Sequence, residues 1–116
     1  MNAGAQTPEE LETLLEDAFV VRDRGALAGL YEDGAVLGAT GGRAEARGVN
    51  QIARFAAALW DRDLTYLADP RRVVQARNTA LVLACRGVHV AHRGPGGQWR
   101  YAISLLKIHD PKGEGQ

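Results

Sequence analysis

The apolar residues of this chain change period once, near residue 62, and that switch limits the fold more than any other feature. Up to Trp60 they recur mostly at helical spacing; from Leu64 onward they lie in extended runs. Thr7-Pro8-Glu9-Glu10 opens the first helix, with Thr7 as N-cap, Pro8 at the first helical position and Glu10 closing a capping box. Leu11, Leu14, Leu15, Ala18 and Phe19 then form one apolar stripe, with Glu9, Glu12 and Glu16 mostly off it. Gly25 is read as a stop or hinge, Ala26 to Tyr31 as a short second helix, and Glu32-Asp33-Gly34 as a turn. Ala35-Val36-Leu37 is a short strand, Gly38 and Gly41-Gly42 a loop, and Arg43 to Arg47 an edge strand ended by Gly48. A third helix runs from Val49 to Trp60, with Ile52, Phe55, Ala56, Leu59 and Trp60 on one face.

In the second half, Leu64 to Ala68 reads as strand, broken at Asp69-Pro70 and resumed at Val73-Val74-Gln75; Pro70 cannot donate to a ladder and belongs at an edge or a break. Arg77-Asn78 is a tight turn. Thr79 to Ala91 reads as one long strand, with Leu81, Leu83 and Cys85 on one face and Ala80, Val82 and Ala84 on the other. Arg93 to Gly97 turns the chain. Trp99 to His109 is the last long strand, with Trp99, Tyr101, Ile103 and Leu105 opposite Ala102, Ser104, Leu106 and Ile108.

This order predicts an α+β fold, N-terminal helices packed on a strongly curved antiparallel sheet. Residues 8–109 form the single domain, flanked by a flexible N-terminus (1–7) and a polar tail (110–116). The long strands are apolar on both faces. One face meets the helices, and the other calls for a cover, so a homodimer through the face bearing Leu81, Leu83 and Ile103 is expected. Strong coiling within one chain is the alternative.

Composition narrows the function classes. Fourteen basic residues balance fourteen acidic ones in 116, so no cationic surplus points to nucleic acid. A single cysteine excludes an intrachain disulfide. No apolar run reaches the ~18 residues of a membrane span, and the start of the chain lacks the pattern of a signal peptide. The cytoplasm is the expected compartment. Zinc-ligand spacing and a dinucleotide fingerprint are both missing, so neither metal nor cofactor is expected.

Phe19 to Leu37, Arg47-Gly48 followed by Ile52 and Phe55, and Asn78-Thr79-Ala80-Leu81-Val82 together resemble SnoaL-like members of the nuclear-transport-factor-2-like superfamily, over roughly residues 8 to 110. The resemblance implies a cystatin-like α+β conical half-barrel with a pocket between helices and sheet, commonly dimeric across the sheet, in a superfamily of isomerases, cyclases, dehydratases and non-catalytic modules. Two endings fit. The favoured one puts Ile103 to Lys107 on the penultimate strand and lacks the last strand; the other sets Gly97-Gln98-Trp99-Arg100-Tyr101 on the last strand, with a hairpin lost earlier. Either leaves the barrel one strand short.

The resemblance also tests one chemistry. The steroid-isomerase base falls at Ala39, its tyrosine donor at Ala18 and its acidic donor at Ser104, so that mechanism is not expected here: alanine moves no proton. The pocket is expected to be lined by Phe19, Phe55, Leu59, Trp60, Tyr66, Arg86 and Ser104. His89 and Ser104 are the candidate catalytic groups; His89 is the histidine considered as a base, placed at the interface or a pocket mouth. His92 and His109 are expected in solvent, Cys85 as a small buried hydrophobe, and Asp61-Arg62-Asp63 as a solvated loop. Arg71, Arg72 and Arg77 form a basic cluster. Arg86, inside an apolar strand, needs an acidic ligand if it points into the pocket. The expected function is binding of a small, mostly apolar molecule, with isomerase-, cyclase- or dehydratase-like activity left open. The alternative is a non-catalytic homodimeric structural or protein-interaction module.

Overall fold

The computed structural model describes residues 4–40 and 45–107. The chain runs α1 (Pro8–Val21), α2 (Arg24–Ala28), β1 (Tyr31–Ala39), β2 (Glu45–Arg47), α3 (Gly48–Asp61), β3 (Pro70–Ala76), β4 (Thr79–Ala84), β5 (Gly87–Arg93) and β6 (Trp99–Leu106). The strands form one sheet in the order β2-β1-β6-β5-β4-β3. Neighbours pair antiparallel except β1 with β6, which run parallel, so the sheet is mixed where the sequence suggests an antiparallel one. It is open at β2 and β3. The architecture is α+β, with the helices on one face.

The start of α1 follows the sequence closely. The Glu10 amide donates to Thr7 Oγ1 at 3.0 Å. Glu10 Oε1 accepts from the Gln6 amide at 2.7 Å, one residue before the cap. The preceding segment is anchored rather than loose: Ala5 is buried, and its carbonyl accepts from the Trp99 amide at 2.9 Å. The helix ends at Arg22, in the left-handed conformation, and Asp23 caps α2 through the Ala26 amide at 3.0 Å. Gly25 therefore lies inside α2, and Tyr31 belongs to β1. Glu32-Asp33-Gly34 is no turn but a bulge within β1, with Gly34 at a φ of 77° and the register against β6 shifting between Tyr31 and Val36.

The largest correction concerns residues 79–91. They form a hairpin, with Cys85-Arg86 as a two-residue turn between Ala84 and its partner Gly87. Among the described residues the sheet thus has six strands, one more than the sequence reading counts. The last described strand, β6, begins at Trp99 and lies between β1 and β5, and the hairpin between β4 and β5 turns at Cys85-Arg86. Leu64 to Ala68 is not a strand. The Ala68 amide instead donates to Glu16 Oε1 at 2.6 Å, a side-chain partner in place of a ladder. Pro70 opens edge strand β3 beside a register shift, the position its missing N–H permits. The loop at Gly41-Gly42, the residues Arg43 and Ala44, and Ile108, His109 and the 110–116 tail lie outside the described residues, as do residues 1–3.

The core joins the α1 stripe (Leu11, Leu15, Ala18, Phe19) to Ile52, Ala56, Leu59 and Trp60 of α3 and to the inner sheet face at Leu37, Ala80, Ala91, Trp99 and Leu106. Among the described residues no helix is long and apolar enough to cross a membrane. The cap gives the first test. Thr7→Ala removes the acceptor of the Glu10 amide and is expected to lower stability by about 1 kcal/mol in denaturant unfolding, while Thr7→Ser retains most of it.

Candidate functional site

Three buried residues with polar or ionisable side chains stand out inside this core: Glu12, His89 and Ser104, each at most 1% exposed. Local backbone events bring them together. Glu12 is three positions before Leu15 and seven before Phe19, so it lies beside the apolar stripe of α1 and points inward. The Cys85-Arg86 turn sets His89 opposite Val82, on the core face rather than at an interface or a pocket mouth. In β6 the register shifts so that Val90 pairs with Ile103 and Ala91 with Tyr101, leaving Ala102 as the extra residue. Strict alternation would send Tyr101 and Ser104 to opposite faces. The bulge buries both and turns Ile103 and Leu105 outward.

The hydroxyls and the imidazole form a chain that converges on Glu12. Tyr66 donates to Glu12 Oε1 at 2.5 Å, and the Tyr101 hydroxyl donates to Glu12 Oε2. His89 Nε2 lies 3.0 Å from the Tyr66 hydroxyl and 3.2 Å from Glu12 Oε2. On the other side of the ring, Nδ1 lies 2.7 Å from Ser104 Oγ, which accepts from the Tyr31 hydroxyl at 3.0 Å. The arrangement is consistent with a neutral imidazole: Ser104 donates to Nδ1, and Nε2–H faces Glu12 and Tyr66. The His89 and Tyr101 rings also stack, with centroids 4.5 Å apart. Gly87 makes room for this ring, since a Cβ there would come within 2.9 Å of Nε2.

Burial governs the ionisation of the whole cluster. It holds the His89 imidazolium pKa down to about 3. It raises Glu12 above its ordinary 4.5, outweighing the opposing pull of the Tyr101 and Tyr66 hydrogen bonds. It also raises the three tyrosines, and the charge of Glu12 pushes the same way, so they stay hydrogen-bond donors.

Four of the seven expected lining residues, Phe19, Leu59, Tyr66 and Arg86, meet at a cavity of about 190 Å³ between α1, α3 and the sheet. Leu64 and Leu106 extend its apolar wall, while Asp63, Thr65, Arg86 and Lys107 are its exposed polar members. Tyr66 belongs to both structures: it lines the cavity, and its hydroxyl joins the buried cluster. Ser104 lines none of the described hollows; side chains fill the space around it. Phe55 is half-buried against the core. Trp60 stands edge-on to Phe19, and its buried indole N–H has no hydrogen-bond partner among the described residues. Arg86 sits in the β4–β5 turn rather than within a strand and is exposed.

The remaining candidates lie at the surface. Cys85 is exposed in its turn, not buried. His92 is exposed, with Nδ1 2.8 Å from Glu32 Oε1. Asp63 is exposed and pairs with Arg22 at 3.1 Å. Arg71 of the basic cluster pairs with Asp69 at 3.0 Å. A hollow of about 510 Å³ lies between α1, α2 and the start of β6, and its charged members Asp17 and Arg100 are exposed. Among the described residues no three His, Cys, Asp or Glu side chains converge to hold a metal ion.

The sequence singled out His89, Ser104 and Tyr66, as catalytic or pocket-lining candidates, but not Glu12, Tyr31 and Tyr101, which join them in the buried cluster. The signal for Glu12 was its helical spacing to Leu15 and Phe19. Tyr101 depended on the bulge at Ala102, which alternation conceals, and Tyr31 was read as the end of the second helix although it opens β1.

No protein-family model matches this chain, and no curated protein matches it. Solved structures do. A ketosteroid isomerase-like protein from Erwinia carotovora atroseptica superposes with a TM-score of 0.71 at 18% identity, over 96% of this chain and 100% of that one. An NTF2-like protein with a cystatin-like fold from Novosphingobium aromaticivorans gives 0.70 at 20% identity, over 92% and 81%. A putative calcium/calmodulin-dependent protein kinase type II association domain from Thiobacillus denitrificans gives 0.74 at 13% identity, over 94% and 100%. The chain has the cystatin-like fold that these structures share.

The cluster has a pH signature. Unfolded His89 takes up its proton near its ordinary 6.5, but the folded residue resists until about 3, so its contribution to stability is present above 6.5 and is lost as the pH falls. Glu12 acts oppositely: its contribution is fully present below 4.5 and is lost as the pH rises through its raised folded pKa. His89→Gln removes only the first effect. The fall in Tm between pH 7 and pH 5 should therefore be smaller in this variant than in the parent; an equal fall would mean that His89 is not held neutral.

Proposed function

We propose that this protein is a homodimeric binder of a small, mostly apolar molecule, held in the cavity between the helices and the sheet. The observation that carries the reading is the convergence of Phe19, Leu59, Leu64, Tyr66 and Leu106 on one hollow that reaches exposed residues. Its volume, about 190 Å³, is large enough for a single ring: an apolar cavity of roughly 150 Å³ binds benzene. It is smaller than the roughly 300–1,000 Å³ of sites for drug-sized ligands. In this reading His89 and Ser104 are scaffold, since both are sealed in the core and engaged in hydrogen bonds. Cys85, free and exposed, suits a reducing cytoplasm. An NMR titration with benzyl alcohol should shift the resonances of Phe19, Leu59 and Tyr66 at millimolar concentration or below. Saturation elsewhere, or no shift at these residues, would remove the ligand reading.

The second reading, a non-catalytic homodimeric module, is favoured by the filled space around Ser104 and by the outer face of the sheet. There Val74, Leu81, Ile103 and Leu105 are each at least 39% exposed, and the register aligns Val74, Leu81, Val90 and Ile103 across four strands. Such a face matches the inner side of a sheet-to-sheet contact. Sedimentation equilibrium should show a dimer that Ile103→Lys converts to monomer without loss of secondary structure. A parent chain that is monomeric at high micromolar concentration would exclude the interface, and with it both dimeric readings.

A further inference from the structure

We infer that the molecule held in this cavity is a monoanion, a single-ring or short branched-chain carboxylate, with its apolar body inside and its carboxylate at Arg86 and Lys107. The inference rests on the ligand-binding reading above and adds the chemical class.

The two cations come from different strands but arrive together. Arg86 ends the β4–β5 turn and Lys107 follows β6; the Lys107 amide donates to the Arg86 carbonyl at 2.8 Å, and the next pair inward is Gly87 with Leu106. The backbone therefore fixes the spacing of two flexible side chains at one edge of the hollow. Neither makes an ion pair among the described residues, whereas Arg22, Arg47 and Arg71 each hold a carboxylate within about 3 Å. The acidic member of the lining, Asp63, is already engaged by Arg22. Thr65 adds a hydroxyl-bearing side chain to the same lining. The polar side of the hollow thus offers a guanidinium, an ammonium and a hydroxyl. A carboxylate satisfies the two cations with charge-assisted hydrogen bonds.

The opposite wall sets the body of the ligand. Phe19, Leu59, Leu64 and Leu106 provide no polar group to the cavity beyond their backbone, and the Tyr66 hydroxyl is occupied by Glu12 and His89. A polar ring substituent would lose its water without replacement there. The volume admits one ring and excludes a fused multi-ring skeleton.

The test compares phenylacetate, its neutral isostere phenylacetamide and acetate by calorimetry at low salt. Phenylacetate is expected to bind at least ten-fold more tightly than phenylacetamide, and acetate not measurably. Arg86→Gln combined with Lys107→Gln, two exposed positions whose replacement leaves the core intact, should bring phenylacetate to the level of the amide and leave the amide unchanged. Leu64→Trp, which fills the hollow from its wall, should weaken both aromatic probes. Equal binding of acid and amide overturns the assignment of charge while leaving the ligand reading intact. Acetate binding as well as phenylacetate also overturns it, because the cations would then act without the cavity. If neither aromatic probe binds, both the inference and the ligand reading fail.

Discussion

The interior of this protein is organised around one buried carboxyl group. Glu12 leaves α1 from the edge of its apolar stripe and enters a core that offers it no water. A carboxyl group there is tolerable only where hydroxyls or an imidazole satisfy its oxygens. Tyr66 and Tyr101 do this, with the His89 ring 3.2 Å from Oε2, and the three are delivered by different segments: the 64–69 connection, β6 and β5. Helix, connection and sheet are therefore tied at a single point. Ser104 and Tyr31 extend the tie through the far nitrogen of His89 to β6 and β1. A cluster of this kind costs stability when incomplete and specifies one arrangement of the core when complete.

The parts of the fold governed by local chemistry were legible in the sequence. The Thr7 cap, the buried face of α3, the Arg77-Asn78 turn and the place of Pro70 all follow from side-chain rules acting over a few residues. Two of the parts that were not legible break alternation with no glycine or proline within them. Cys85-Arg86 turns the chain between two apolar segments and carries no usual turn residue. Ala102 is an extra residue in a strand with no compositional sign of one. Each event reverses the facing of the residues after it. Alternation alone therefore puts His89 on the wrong side of the sheet and separates Tyr101 from Ser104.

The same events divide the candidate site in two. A sealed polar centre holds His89 and Ser104. A smaller hollow, open toward exposed residues, holds Arg86 and the apolar wall, and Tyr66 is shared by both. The expected single pocket reaching from Phe19 to Ser104 is occupied by the chain's own tyrosine and histidine rings. A protein with this centre fills its interior with internally hydrogen-bonded side chains, and the hollow beside it lies at the edge.

Tyr101 and Glu12 stabilise the fold through each other, and a double-mutant cycle measures this directly. In equilibrium unfolding, Tyr101→Phe should cost about 1–3 kcal/mol in the parent chain, where it leaves a buried acceptor short of a donor. In a Glu12→Leu background the same change should cost far less, giving a coupling of at least about 1 kcal/mol. Equal costs in the two backgrounds would show that the two side chains are independent and would contradict a core organised around Glu12.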